Sequence, residues 1–196
     1  LMKHAIPDKK TATVWLPRSR TSSGNNSNID SDCPYSREQL TALIALQYID
    51  GLGPVSSSLL LAKAGSIDAL IAGAIDPMDV ASLRAPCRQA LQQFLRNPRH
   101  VQQWQLAEQS VEWLVKTGSN ILVRDDPRFP SLLKELPDCP QLIYLAGQLN
   151  SFKSVSISIV GTRKPSAGAQ QFTEQLAAEL SDAGLLISSG MATGID

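Results

Sequence analysis

The stretch from Val155 to Asp196 constrains the fold more than any other part of this 196-residue chain. Val155-Ser156-Ile157-Ser158-Ile159-Val160 reads as a strand that runs into Gly161-Thr162-Arg163-Lys164-Pro165-Ser166. A helix is predicted from about Ala167 to Ala183, with Phe172, Leu176 and Leu180 on its apolar stripe and Gly184 at its C-terminal stop. Leu185-Leu186-Ile187-Ser188 is the next strand, ending in Ser189-Gly190-Met191-Ala192-Thr193-Gly194-Ile195-Asp196. With so few residues between the elements, strand, helix and strand form a parallel βαβ unit with a right-handed crossover, which makes the fold class α/β.

Both glycine-containing loops follow the carboxyl ends of neighbouring strands, where open α/β sheets bind their ligands. Gly161 and Gly190 let a ligand come close to the backbone, and the first N–H groups of the helix after Ser166 favour an anion. Arg163 supplies a planar cationic fork and Lys164 a more flexible charge, so a phosphate-bearing ligand is expected. The next glycine after Gly161 is Gly168, so the dinucleotide fingerprint is absent, and no Gly-Lys-Ser or Gly-Lys-Thr marks a P-loop. The competing reading of Arg163 is a surface arginine, or an ion pair with a carboxylate such as Asp196.

Upstream the pattern is helical. Ser36 can cap a first turn while Gln39 reaches back, and Leu40, Leu43, Ile44 and Tyr48 follow at helical spacing. Asp50-Gly51-Leu52-Gly53-Pro54-Val55 then turns the chain into a second apolar run, Leu59, Leu60, Leu61 and Ala64, which is the pattern of a helix-hairpin-helix motif. The N–H groups around Gly51 and Gly53 are a second candidate phosphate contact. Ser56, Ser57 and Ser58 stand where such hairpins often carry Lys or Arg, which favours a purely structural joint. Further helices are expected near 66 to 73 and between 77 and 117, with Trp104 and Trp113 as core residues and Arg84, Arg88, Arg96 and Arg99 on a solvated or mildly basic face. Beyond Gly118, Ile121-Leu122-Val123 and Leu142-Ile143-Tyr144-Leu145-Ala146-Gly147 read as strands, with a turn at Asp125 to Pro130 and a helical turn at Leu132 to Leu136. The expected organisation is a disordered tail over 1–35, rich in Ser, Asn and charge, a helical domain over 36–117, and an α/β portion over 118–196.

Composition narrows the function. Eighteen basic residues balance eighteen acidic ones, so any polyanion site must be local. Three separated cysteines without a CxxC pair encode neither a disulfide framework nor a metal site, and two histidines leave little room for triad chemistry. No apolar run approaches the roughly 18 residues of a membrane span, and charges interrupt any signal-peptide core, so a cytoplasmic protein without a membrane partner is expected.

Ile159-Val160-Gly161-Thr162-Arg163 followed by a helix and Ser188-Ser189-Gly190-Met191-Ala192-Thr193-Gly194-Ile195-Asp196 resembles the paired motifs of the DprA/Smf family, the DNA-processing proteins of bacterial natural transformation. Asp125-Asp126-Pro127-Arg128-Phe129-Pro130-Ser131-Leu132-Leu133 and Pro140 to Gly147 resemble that family's approach to its Rossmann-like domain, and the hairpin resembles its N-terminal, SAM-like helical domain. The resemblance implies a helical domain followed by an extended Rossmann-like parallel sheet that is cut short here, since family members continue well beyond the position of Asp196. It implies a non-catalytic protein, without cofactor or metal, that binds and protects single-stranded DNA and helps load RecA, as a homodimer when full length. Arg163 matches the motif arginine of the basic DNA pocket, with Gly161, Thr162, Ser166, Ser189, Gly190, Gly194 and Asp196 at the surrounding loop positions and Lys164 beside them. Thr162 stands for the commoner serine, and Gly168 where the family often has an aromatic residue, which removes a stacking platform from that loop.

Two other functions compete. A nucleotide-processing enzyme of the phosphoribohydrolase type would need a Gly-Gly-Gly-Thr loop with an acidic catalytic group, and neither loop supplies one. A duplex-DNA binder would use the helical hairpin alone, with the α/β part as scaffold.

Overall fold

The structure is a computed structural model that describes residues 13–15, 33–80, 82–146 and 155–196. The chain divides into two compact units, Leu1–Gln148 and Leu149–Asp196. This grouping differs from the expected division at 117/118, because the strands between 120 and 146 pack with the helices. Most of the predicted tail, residues 1–12 and 16–32, lies outside the described residues.

In the first unit β1 (Thr13–Trp15) precedes α1 (Arg37–Gln47), α2 (Pro54–Ala64), α3 (Ile67–Ile71), α4 (Ala85–Arg96) and α5 (Gln102–Thr117). The capping box forms as read: the Ser36 hydroxyl accepts from the Gln39 N–H at 3.2 Å, and the Gln39 side-chain oxygen accepts from the Ser36 N–H at 2.8 Å. Every residue of α1 from Leu40 to Leu46 is buried, as expected of a helix enclosed on all sides. α1 packs on α5, whose Trp104, Ala107, Val111 and Leu114 are buried, and α4 adds Cys87, Leu91 and Phe94. Each large side chain of this kind contributes about 1.5–3 kcal/mol on full burial. Trp104 thus belongs to the core, with its indole N–H donating to Glu108 at 3.1 Å, and Trp113 packs against that core half-buried.

The two hairpin glycines are not equivalent. Gly51 has φ +80°, and a Cβ there would meet the Cys87 Cβ at 3.2 Å. Gly53 is the N-cap of α2 at φ −84° and ψ 174°, with open space where a Cβ would point. Only Gly51 needs the freedom of glycine; Pro54 opens α2 as predicted.

β2 (Asn120–Val123) pairs antiparallel with β3 (Leu142–Ala146), and β1 pairs parallel with the other edge of β3, giving the order β1-β3-β2. The strand at Thr13–Trp15 departs from the disordered reading for those three residues, since the backbone of β3 offers a paired edge that local composition does not reveal. All five residues of β3 are buried, and Ile121, Val123, Leu142 and Tyr144 join the core made by the helices. α6 (Ser131–Lys134) is the expected helical turn between them.

In the second unit, β4 (Ser156–Ser158), α7 (Ala167–Asp182) and β5 (Leu186–Ser188) follow in order, with β4 and β5 parallel and Ile157 opposite Ile187. Ser166 caps α7, its hydroxyl accepting from the Ala169 N–H at 3.2 Å. The stripe of α7 expected to be apolar is displaced. Phe172 is 65% exposed, while Ala169, Thr173, Ala177 and Leu180 are the half-buried positions. Small side chains at this spacing let the helix pack on β5, and the largest side chain is left outside. No described residue between 155 and 196 is fully buried, and Val155, Val160 and Phe172 present apolar surface.

Candidate functional site

The loops after β4 and β5 are clasped together by contacts that only glycine permits. A Cβ at Gly161 would lie 2.6 Å from two Ile195 side-chain carbons. Gly194 has φ +120°, and a Cβ there would lie 2.2 Å from the Thr162 carbonyl oxygen and 2.7 Å from the Arg163 Cα. The Ile195 N–H donates to the Thr162 carbonyl at 3.2 Å, and the Gly161 N–H donates to the Asp196 carboxylate at 3.1 Å. The Ser189 hydroxyl donates to the Asp196 main-chain oxygen at 2.9 Å and accepts from the Met191 N–H at 3.3 Å. A Cβ at Gly190 would come 3.1 Å from the same carboxylate. The Thr162 hydroxyl accepts from the Lys164 N–H at 3.2 Å, which tightens the turn leading to Ser166.

The residues singled out in this part of the sequence therefore fall into two groups. Gly161, Thr162, Ser189, Gly190, Gly194 and Asp196 hold the loops to each other, and Ser166 caps α7. Arg163 and Lys164 are exposed, and among the described residues neither has a carboxylate partner. The ion pair between Arg163 and Asp196 does not form; the Asp196 carboxylate accepts from the Gly161 N–H. The result is a rigid loop that presents two cations just before the N-terminus of a 16-residue helix, the end at which the helix dipole is positive. Beside it, Ile159, Ile187, Thr173, Ala177 and Ile195 help line a pocket of about 290 Å³. Met191, 66% exposed, takes a left-handed φ of +54°.

Gly51 and Gly53 belong to the other unit, exposed on the turn before α2. The first turn of α2 has no side-chain cap and no acidic residue.

The Asp125–Pro130 turn, part of the segment that carries the family resemblance, contains an ion pair that sequence reasoning does not single out. Asp126 is 1% exposed and accepts from the Arg128 side chain at 3.0 Å (Nε) and 2.7 Å (Nη2), and from the Arg128 backbone N–H at 2.8 Å. These bonds hold its carboxyl below the usual aspartate range, with Arg128 hydrogen bonding the main cause and burial opposing it. Lys134 lies over the Phe129 ring, 5.8 Å from its centre. The legible signal is an aspartate two residues before an arginine in a proline-containing turn, since a buried aspartate requires such a partner.

Among known proteins, a family model described as DNA recombination-mediator protein A matches residues 120–196, which covers the clasped loops and the Asp126 turn. Protein Smf of Synechocystis sp. is 38% identical over 79 residues, covering 38% of this chain and 20% of the relative. Protein Smf of Escherichia coli is 29% identical over 122 residues, or 62% of this chain and 31% of the relative. The DNA processing protein DprA of Bacillus subtilis is 35% identical over 80 residues, or 40% of this chain and 27% of the relative. Over these segments the chain is similar to the DprA/Smf proteins. It spans between a fifth and a third of the length of these curated relatives.

Proposed function

We propose that the clasped loops bind the phosphate backbone of single-stranded DNA, and that the protein protects such strands and helps load RecA onto them by binding alone, without catalysis. Arg163 supplies a forked contact to one phosphate and Lys164 a point charge to the same or the next one. The N–H groups at the start of α7 add their dipole to the same ligand. The observation that carries the reading is the exposed pair Arg163 and Lys164, without a carboxylate partner among the described residues, on a loop that Gly161 and Gly194 lock in place. A cation that already had an internal partner would gain less from a phosphate.

The same proposal takes the helical part as a helix-hairpin-helix, SAM-like domain, and β4-α7-β5 as the start of a Rossmann-like sheet. It places the protein in the cytoplasm, where RecA acts, as a homodimer. Among the described residues no helix is long and apolar enough to cross a membrane. Anisotropy titrations of a labelled oligonucleotide against the intact protein, single-stranded and duplex, test the binding. RecA filament assembly on the same single strand, with and without the protein, tests the loading. Tighter single-strand than duplex binding and faster assembly are expected; preference for the duplex would transfer the DNA contact to the hairpin.

A further inference from the structure

We propose that the cleft between α1, α2 and the turn after β2 is a nucleotide site, distinct in residues and in ligand contact from the loops around Arg163. The cleft has a volume of about 450 Å³, enough for a base with its sugar and phosphate, and its apolar lining includes Leu43, Leu61 and Ile67.

Its polar lining is rich in donors that lack acceptors. The Arg124 backbone N–H donates to the Gln141 carbonyl at 2.8 Å, which fixes the residue at the end of β2. One Arg124 guanidinium nitrogen donates to the Ser58 hydroxyl at 3.0 Å, and the Gln141 side-chain amide donates to the same oxygen. With both lone pairs of Ser58 engaged, its hydrogen is left to donate, and no described residue accepts it. A guanidinium carries five N–H donors, and among the described residues no carboxylate pairs with that of Arg124. The adjacent Asp125 carboxylate accepts instead from the Tyr35 hydroxyl at 3.5 Å.

A half-buried arginine beside a serine hydrogen is a place for an oxyanion, and the forked geometry suits a phosphate. The apolar lining asks for a flat, weakly hydrated body attached to that anion, which inorganic phosphate lacks and a nucleotide has. The Tyr35–Asp125 pair at the same cleft offers an acceptor to the amino group of a base. The ligand chemistry is therefore a nucleoside monophosphate, either free or as the 5′ end of a strand.

Calorimetric titration of the intact protein with deoxyadenosine monophosphate, deoxyadenosine and inorganic phosphate tests this. The monophosphate is expected to bind at least tenfold more tightly than either of the others. Arg124→Met should weaken it at least tenfold, and Arg124→Lys, which keeps charge but not the fork, by less. Ala62→Phe, at an exposed position of α2 that lines the cleft, should block binding with Arg124 still in place. Arg163→Ala should leave it unchanged, so failure here and failure of the loop reading are distinguishable. Competition by a 5′-phosphorylated oligonucleotide would assign the site to strand ends, and its absence to free nucleotides. No binding of the monophosphate, equal binding of inorganic phosphate, or wild-type binding by both Arg124→Met and Ala62→Phe would overturn the proposal.

Discussion

Replacing Gly194 by alanine should open the clasp that carries Arg163. At φ +120° a side chain adds about 1–3 kcal/mol of backbone strain. The added Cβ would sit 2.2 Å from the Thr162 carbonyl oxygen, whereas a carbon and a carbonyl oxygen approach to about 3.3 Å. The loops must part by about 1 Å, which stretches the 3.2 Å hydrogen bond from the Ile195 N–H to that same oxygen beyond bonding range and forfeits about 1 kcal/mol more. The total, about 2–4 kcal/mol, is ample to release the loop. Hydrogen exchange at the Ile195 and Gly161 amides reads the local loss, and anisotropy reads the accompanying fall in single-strand affinity. Gly168→Ala is the control: Gly168 lies in the first turn of α7 with open space at its Cβ position, and alanine there should stabilise the helix by up to about 1 kcal/mol. Retained amide protection in Gly194→Ala would refute the steric reasoning.

The remaining predictions concern the first unit. Gly51→Ala should cost about 1–2 kcal/mol in urea unfolding, from the positive φ and the Cys87 contact, while Gly53→Ala stays within about 0.5 kcal/mol; equal effects would contradict the distinction. Asp126→Ala should destabilise by about 1.5–3 kcal/mol, because it removes the charged hydrogen bonds that the buried carboxylate accepts from Arg128. The folded-state pKa of Asp126 lies below its unfolded value of about 3.9, so the stability it contributes is complete above that value and is lost as pH falls through the folded pKa. An acid-unfolding profile that is the same in wild type and Asp126→Ala would remove this contribution.

What could be read from the sequence was what local chemistry decides. The Ser36–Gln39 box, Pro54 at the start of α2 and Ser166 before α7 are short-range devices, and each stands where its spacing put it. Trp104 was legible as core because its neighbours repeat at helical spacing. The packing face of α7 was misread because periodicity weights bulky residues. Packing beside β5 instead selected Ala169, Thr173 and Ala177 and left Phe172 outside. β1 depends on pairing with residues about 130 positions away, which no local pattern encodes. At the site, the glycines and the two cations were legible as a group, but their division of labour was not. Sequence cannot tell that Asp196 accepts from Gly161 while Arg163 is left to solvent.

The central claim, that Arg163 holds a phosphate of single-stranded DNA, is tested most directly by the salt dependence of affinity in the intact protein and in Arg163→Ala. One lost phosphate contact on a single strand should reduce the slope of log affinity against log salt by about 0.7, with weaker binding to every base sequence alike and no change in thermal unfolding. Affinity and slope equal to wild type would contradict the account.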